Sequence, residues 1–118
     1  MNEEVKALEL AWQRLLYQIK PLFERKPNLQ SMLFLIGVQE LGQLHQEFTK
    51  EEKEDLMHIA ICTLMEQEGY YEFSGRDEDG WPHFDRTHKS LPQDKKKQER
   101  LLKKQIIQYF ENSNTEEE

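Results

Sequence analysis

The sequence predicts a small, mainly α-helical bundle of about four helices, with a β-hairpin between the third and fourth helices. Three observations indicate this fold class. Apolar residues recur at helical spacing in several segments, N-cap signals precede some of these segments, and an aromatic-rich stretch around an Asp-Gly pair interrupts them. The 118 residues suit one domain. We place it at residues 1–111 and expect a disordered acidic tail at 112–118.

The first helix is predicted for residues 3–20. Apolar side chains recur at alternating spacings of three and four from Val5 to Leu22, which is the pattern of an amphipathic helix. Asn2 precedes the helix and is a residue type that caps helix N-termini. Pro21 lacks a backbone N–H and clashes with the preceding turn, so we predict a kink or a short break there.

The second helix is predicted from Leu29 to about Leu44. Residues 32–38 are almost continuously apolar, so this helix should be buried. A strand over the same residues is the alternative, but Leu and Met favour the helix. Gly37 and Gly42 either let a neighbouring helix approach closely or end this helix early.

The third helix is predicted to start at Thr49-Lys50-Glu51-Glu52, which fits a capping box. Gly69 is a suitable left-handed residue to end it. Its inward face includes Leu64, which we expect to pack against Leu33 and Ile36 of the second helix.

Residues 70–85 predict a β-hairpin, because aromatic residues flank the Asp79-Gly80 turn signal. Pro82 confines its strand to a sheet edge. Residues 70–84 hold five of the twelve aromatic residues, more than one face of a small hairpin can cover. Either some of them are exposed, or both faces of the hairpin are covered.

The fourth helix is predicted to begin near Pro92, behind a cap at Ser90, and to continue to about Glu111. Residues 93–100 contain no apolar side chain. This half of the helix must therefore project into water or lie on a partner.

The charges are unevenly distributed along the chain, whose net charge is −7. Residues 47–79 hold eleven acids and three bases, whereas residues 86–104 hold eight bases and two acids. The basic segment 86–104 makes nucleic-acid binding one alternative function. It lacks interleaved aromatic residues for base stacking, so we do not expect this function.

His58 and Cys62 lie four residues apart and share a helix face, as a metal site or a thiol–imidazole pair requires. No further ligands have suitable spacing, so we predict a buried, inert thiol, no metal and no cofactor. A small enzyme or metal-binding protein that uses His58 with His45 or His83 remains a second alternative. The sequence contains no complete catalytic motif, and we assign no catalytic residue.

The longest apolar run is seven residues, too short to cross a bilayer, and the first residues do not resemble a secretory signal. The single cysteine agrees with a reducing compartment. We therefore expect a cytoplasmic protein without a membrane partner.

These observations favour a noncatalytic protein–protein interaction or assembly module, binding a protein partner or a second copy. The candidate partner-binding residues are Tyr70, Trp81, His83, Lys95, Lys96, Lys97 and Arg100. We expect the bases from Lys95 to Lys104 to contact an acidic surface, either residues 51–55 of the same or a second copy or a protein partner. Burial of Trp81 should then supply affinity.

Overall fold

The computed structural model describes residues 2–43 and 47–116, with side chains described as far as Asn112. These residues form four α-helices, with an antiparallel β-hairpin between the third and the fourth. The helices are α1 (Glu3–Ile19), α2 (Leu29–Leu41), α3 (Lys50–Glu66) and α4 (Lys95–Glu116), and the strands are β1 (Tyr71–Arg76) and β2 (Pro82–Arg86). The predicted fold class is confirmed. Among the described helices, none is both long and apolar enough to cross a membrane.

The chain divides into two compact units. The first comprises Met1–Leu29 and Pro92–Glu118, and the second comprises Gln30–Leu91. The first unit contains α1 and α4, and the second contains most of α2, all of α3 and the hairpin. The single domain expected at residues 1–111 stays a prediction.

In the first unit, α1 begins and ends as its sequence predicts. The Asn2 side chain accepts a hydrogen bond from the Val5 N–H at 2.8 Å, which confirms the cap. The α-helix ends at Ile19, and a 3-10 turn over Lys20–Leu22 follows it. Pro21 lies in this turn, so the predicted break is confirmed.

A buried apolar stripe and one lysine join α1 to α4. Trp12 and Leu16 of α1 are buried, as is Ile106 of α4. The Lys103 ammonium of α4 lies 2.8 Å from Glu9 Oε1 and 5.6 Å from the centre of the Trp12 ring. This lysine therefore adds an ion pair and a cation–π contact to the apolar packing.

The start of α4 differs from the prediction. Asp94 lies just before the helix and accepts the Lys96 N–H at 2.9 Å, so the predicted cap at Ser90 is wrong. Both residue types cap helices, but the carboxylate also neutralises the positive end of the helix dipole. The helix extends beyond Glu111 to Glu116, through residues 112–116 of the predicted tail, because neither glycine nor proline stops it. Residues 117 and 118 lie outside the described residues.

In the second unit, α2 and α3 touch through their backbones. A Cβ atom added to Gly37 would lie 2.1 Å from the Leu56 carbonyl oxygen, so only glycine allows this approach. The predicted core residue Ile36, beside this glycine, is fully buried, and Leu33 is 6% exposed. Gly42, with φ of 76°, follows the end of α2, which comes three residues before Leu44. Leu44 itself lies outside the described residues.

The predicted capping box of α3 is confirmed. The Thr49 hydroxyl accepts the Glu52 N–H at 3.1 Å, and the Glu52 carboxylate accepts the Thr49 N–H at 2.9 Å. The helix ends at Glu66, and Gly69 follows with φ of 84°. Leu64 is buried, as its predicted inward position requires.

The hairpin buries some of its aromatic residues and exposes others. Its register pairs Tyr71 with Arg86 and Phe73 with Phe84, and a bulge follows Phe73. Tyr71 is 9% exposed, whereas Phe73 is 50% exposed with its ring centre 5.7 Å from that of Phe84. Of the two alternatives left by the sequence, partial exposure is the one observed.

Candidate functional site

A groove of about 410 Å³ lies between the first turns of α3 and the turn of the hairpin. Its lining combines four carboxylates with two imidazoles, one indole and two aliphatic side chains. The lining residues are Glu52, Asp55, His58, Ile59, Asp77, Asp79, Trp81, Pro82 and His83. The groove therefore has four carboxylates in its lining and neither a lysine nor an arginine.

The α3 side of the groove follows from helical spacing. Glu52, Asp55 and Ile59 are separated by three and four residues, so they lie along one face of the helix. The capping box holds the Glu52 carboxylate, whereas Asp55 is exposed. Ile59 is buried beneath them.

The hairpin side is organised around the Asp77 carboxylate. Its Oδ1 accepts N–H groups from Asp79 at 2.9 Å and from Trp81 at 3.0 Å. Its Oδ2 lies 2.9 Å from His83 Nε2. The hydrogen bond with His83, and then that from the Trp81 N–H, lowers the pKa of Asp77 below its usual value. The carboxylate is therefore charged at neutral pH and holds the turn in shape.

Two side chains attach this turn to the end of α2. The Arg76 guanidinium donates to the Gly80 carbonyl oxygen at 2.7 Å and to that of Glu40 at 2.8 Å. The Gln43 amide donates to the Asp79 carbonyl oxygen at 2.8 Å. Because Arg76 also meets the carboxyl end of a helix, its charge suits the negative end of the α2 dipole. The groove wall is thus held by contacts outside the hairpin.

Trp81 joins the groove to the core of the second unit. Its indole packs against a buried cluster of Leu41, Leu56 and Ile59. The Phe48 ring lies edge-on to it, with ring centres 6.5 Å apart and planes at 90°. The indole is half-buried, so part of its surface remains available inside the groove.

Comparisons with protein-family models, curated proteins and solved structures give no match. Functional inference for this chain therefore depends on the chemistry of its own residues. The groove is lined by both carboxylates and an indole, a combination that suits an alkylammonium or guanidinium group.

The structure brings two of the predicted partner-binding residues together and separates a third from them. Trp81 and His83 both line the groove. Tyr70 does not belong to its lining and is half-buried, with the Lys89 ammonium 4.5 Å from its ring centre. The remaining predicted residues, Lys95, Lys96, Lys97 and Arg100, lie on the first two turns of α4 in the other unit.

Sequence reasoning missed Asp77 and Asp79 as groove residues. Asp79 was predicted only as part of the hairpin turn, and both residues do lie between the two strands. The signal that points toward the groove was the acidic block over residues 47–79, which includes α3, β1 and the first residues of the hairpin turn. Glu52 and Asp55 fall within the acidic surface predicted at residues 51–55.

The histidine–cysteine pair does not have the chemistry of a reactive site. His58 Nε2 lies 3.6 Å from Cys62 Sγ, and burial of the thiol raises the pKa of Cys62 to about 11. A neutral thiol is a poor nucleophile and a poor metal ligand. His58 and His83 both line the groove, but no group of three or more metal-ligating side chains occurs in the part of the chain that the structure describes. His45 lies outside that part.

Proposed function

We propose that this chain is a noncatalytic protein-interaction module whose groove binds a lysine- or arginine-rich segment of a protein partner. The observation that carries this proposal is the joint lining of the groove by four carboxylates and the Trp81 indole. Carboxylates attract a basic segment, and the indole supplies apolar and cation–π contact with its side chains. We also propose a cytoplasmic location, since Cys62 is a free thiol.

Charge and aromatic surface contribute differently to such binding. Exposed ion pairs are worth roughly 0–1 kcal/mol each and are screened by salt, so the carboxylates mainly speed association and select basic partners. The half-buried indole contributes area that is removed from water and slows dissociation. The rigid attachment of the turn by Arg76 limits the ordering that binding requires.

The test uses the full chain and a fluorescein-labelled octa-arginine peptide, with octa-glutamate as the peptide of opposite charge. Binding is followed by fluorescence anisotropy. The variant D55N/D79N removes two groove charges while keeping side-chain shape, and neither carboxylate has a hydrogen bond in the described contacts. We expect it to weaken octa-arginine binding by about threefold to tenfold, as the loss of two exposed ion pairs implies.

The matched control is E54Q/E78Q. These exposed acids are the immediate neighbours of Asp55 and Asp79 but do not line the groove, so the change in net charge is identical. The control should bind octa-arginine like the parent. Equal losses in the two double variants, or no measurable binding of octa-arginine to the parent, would contradict the proposal.

A second readout tests the role of the indole. Tryptophan emission should change when octa-arginine binds to the parent chain, and this change should disappear in Trp81→Phe, since Trp12 is buried in the other unit. Persistence of the change in Trp81→Phe would place the peptide outside the groove.

A further inference from the structure

The first turns of α4 present a basic surface with no counterion among the described residues of its own unit. Lys95, Lys96 and Lys97 are exposed, and no apolar residue interrupts Gln93 to Arg100. By contrast, Lys103 pairs with Glu9 and Glu99. The side chains of the other α4 bases form no ion pair with any described residue of their own unit, so these charges are available to a partner.

Four of these bases share one helix face, which we call the basic stripe. At 3.6 residues per turn, its members fall within about 100° of the helix circumference, and at 1.5 Å per residue they span about 12 Å. The basic stripe consists of Lys96, Lys97, Arg100 and Lys104. Ile106 is buried, and it lies outside this sector of α4.

The groove matches the basic stripe in charge and in length. It carries four carboxylates against the four bases of the stripe. Along α3 its lining runs from Glu52 to Ile59, a rise of about 11 Å. Every copy of the chain therefore carries both the groove and the basic stripe that is complementary to it.

We infer that the occupant of the groove is the basic stripe of a second copy of this chain. This inference rests on the proposed function and names the partner. In a twofold dimer each copy lends one stripe and one groove, so the contact is made twice and the assembly closes. The aliphatic stems of the lysines and of Arg100 lie against Trp81 while their charged ends meet the carboxylates.

Salt should affect this association in a specific way. Each copy carries a net charge of −7, so two copies repel at long range when salt is low. At about 0.15 M ionic strength, charges more than about 8 Å apart are screened, whereas the closer contacts of the stripe persist. We expect the dimer to be tightest near this ionic strength and to weaken toward about 1 M salt.

The test is sedimentation equilibrium of the full chain with two charge-reversed variants. The stripe variant is K96E/K97E/R100E, and the groove variant is D55K/D79K. We expect the parent to dimerise and each variant alone to associate at least about tenfold more weakly, since the stripe variant replaces attraction with repulsion and the groove variant removes the net negative charge of the groove. An equimolar mixture of the two variants should restore association as a heterodimer. The unchanged stripe of the groove variant then meets the unchanged groove of the stripe variant, and in the second contact the introduced carboxylates meet the introduced ammonium groups.

Matched controls separate this contact from a general effect of net charge. K6E/K20E/R25E changes three exposed bases outside the stripe, and E54K/E78K changes two exposed acids outside the groove. Each control should dimerise more strongly than the test variant that has the same change in net charge. Circular dichroism checks that all chains retain their helix content.

A parent that remains monomeric at all salt concentrations overturns the inference, as does a mixture that fails to restore association. These outcomes are distinguishable from failure of the proposed function. If the parent is monomeric but still binds octa-arginine in a manner that depends on Asp55 and Asp79, the groove binds a basic segment of another protein. If neither association nor octa-arginine binding occurs, both proposals are wrong.

Discussion

The first turns of α3 and α4 carry opposite charges, although each begins at the positive end of a helix dipole. Glu51 and Glu52 occupy the first turn of α3, whereas the first turn of α4 contains lysines and no acid. Negative side chains at this end typically stabilise a helix by about 0.3–1 kcal/mol each, and positive ones oppose it. The acids in the first turn of α3 therefore stabilise their own helix, whereas the lysines in the first turn of α4 do not.

The two helix starts also differ in tertiary support. In α3 the buried Leu56 and Ile59 lie two turns from the first residue, and the capping box fixes that end. In α4 the buried residues nearest the start are Gln105 and Ile106, about three turns along the helix. Both helix starts are capped, but only the start of α3 is also close to buried residues, and the lysines at the start of α4 form no ion pair with the described residues of their own unit. That contrast supports a binding role for the basic stripe.

The largest expected effect tests the tertiary support of α3. Ile36→Ala removes a fully buried side chain beside the close contact between Gly37 and Leu56, so it should lower the free energy of unfolding by about 2–5 kcal/mol. Urea denaturation followed by circular dichroism measures this loss. The control is Leu10→Ala, which alters a side chain that is 60% exposed and should have little effect. Equal stability of Ile36→Ala and the parent would show that α2 does not support α3 as described.

A smaller effect tests the capping of α3. Thr49→Ala removes the hydroxyl that accepts the Glu52 N–H and should cost about 1 kcal/mol of unfolding free energy. Thr49→Ser keeps the hydroxyl and should stay close to the parent, so the pair isolates the hydrogen bond from the methyl group. If the serine variant loses as much as the alanine variant, packing of the threonine methyl rather than capping stabilises this end.

The features predicted correctly from the sequence depend on neighbouring residues. The Asn2 cap, the break at Pro21 and the capping box at Thr49 each involve groups within a few residues of one another. Their physical causes are therefore contained in short segments. The start of α4 was misplaced because Ser90 and Asp94 both satisfy the local requirement for a cap.

The groove could be predicted only in part, because tertiary contacts build it. The Arg76 guanidinium reaches Glu40 across 36 positions of the sequence, and no spacing rule indicates that contact. The acidic block and Trp81 are evident in the sequence. They line one groove only because the hairpin folds against α3. The contact at Gly37 was predicted in part. The sequence indicated that a neighbouring helix could approach closely there, but it did not identify Leu56 as the residue in contact.

The smallest expected effect tests the opposite charges directly. Glu51→Lys in α3 should lower the free energy of unfolding by about 0.3–1 kcal/mol, and Lys95→Glu in α4 should raise it by a similar amount. Both residues are exposed, and neither lines the groove nor belongs to the basic stripe, so binding should not complicate the comparison. Urea denaturation at low ionic strength measures both changes, and about 1 M salt should reduce each of them by screening. The double variant should come close to the parent, since the two changes act on different helices and have opposite expected signs. If Lys95→Glu destabilises the chain, Lys95 has a stabilising contact in solution, and the contrast between the two helix starts is wrong.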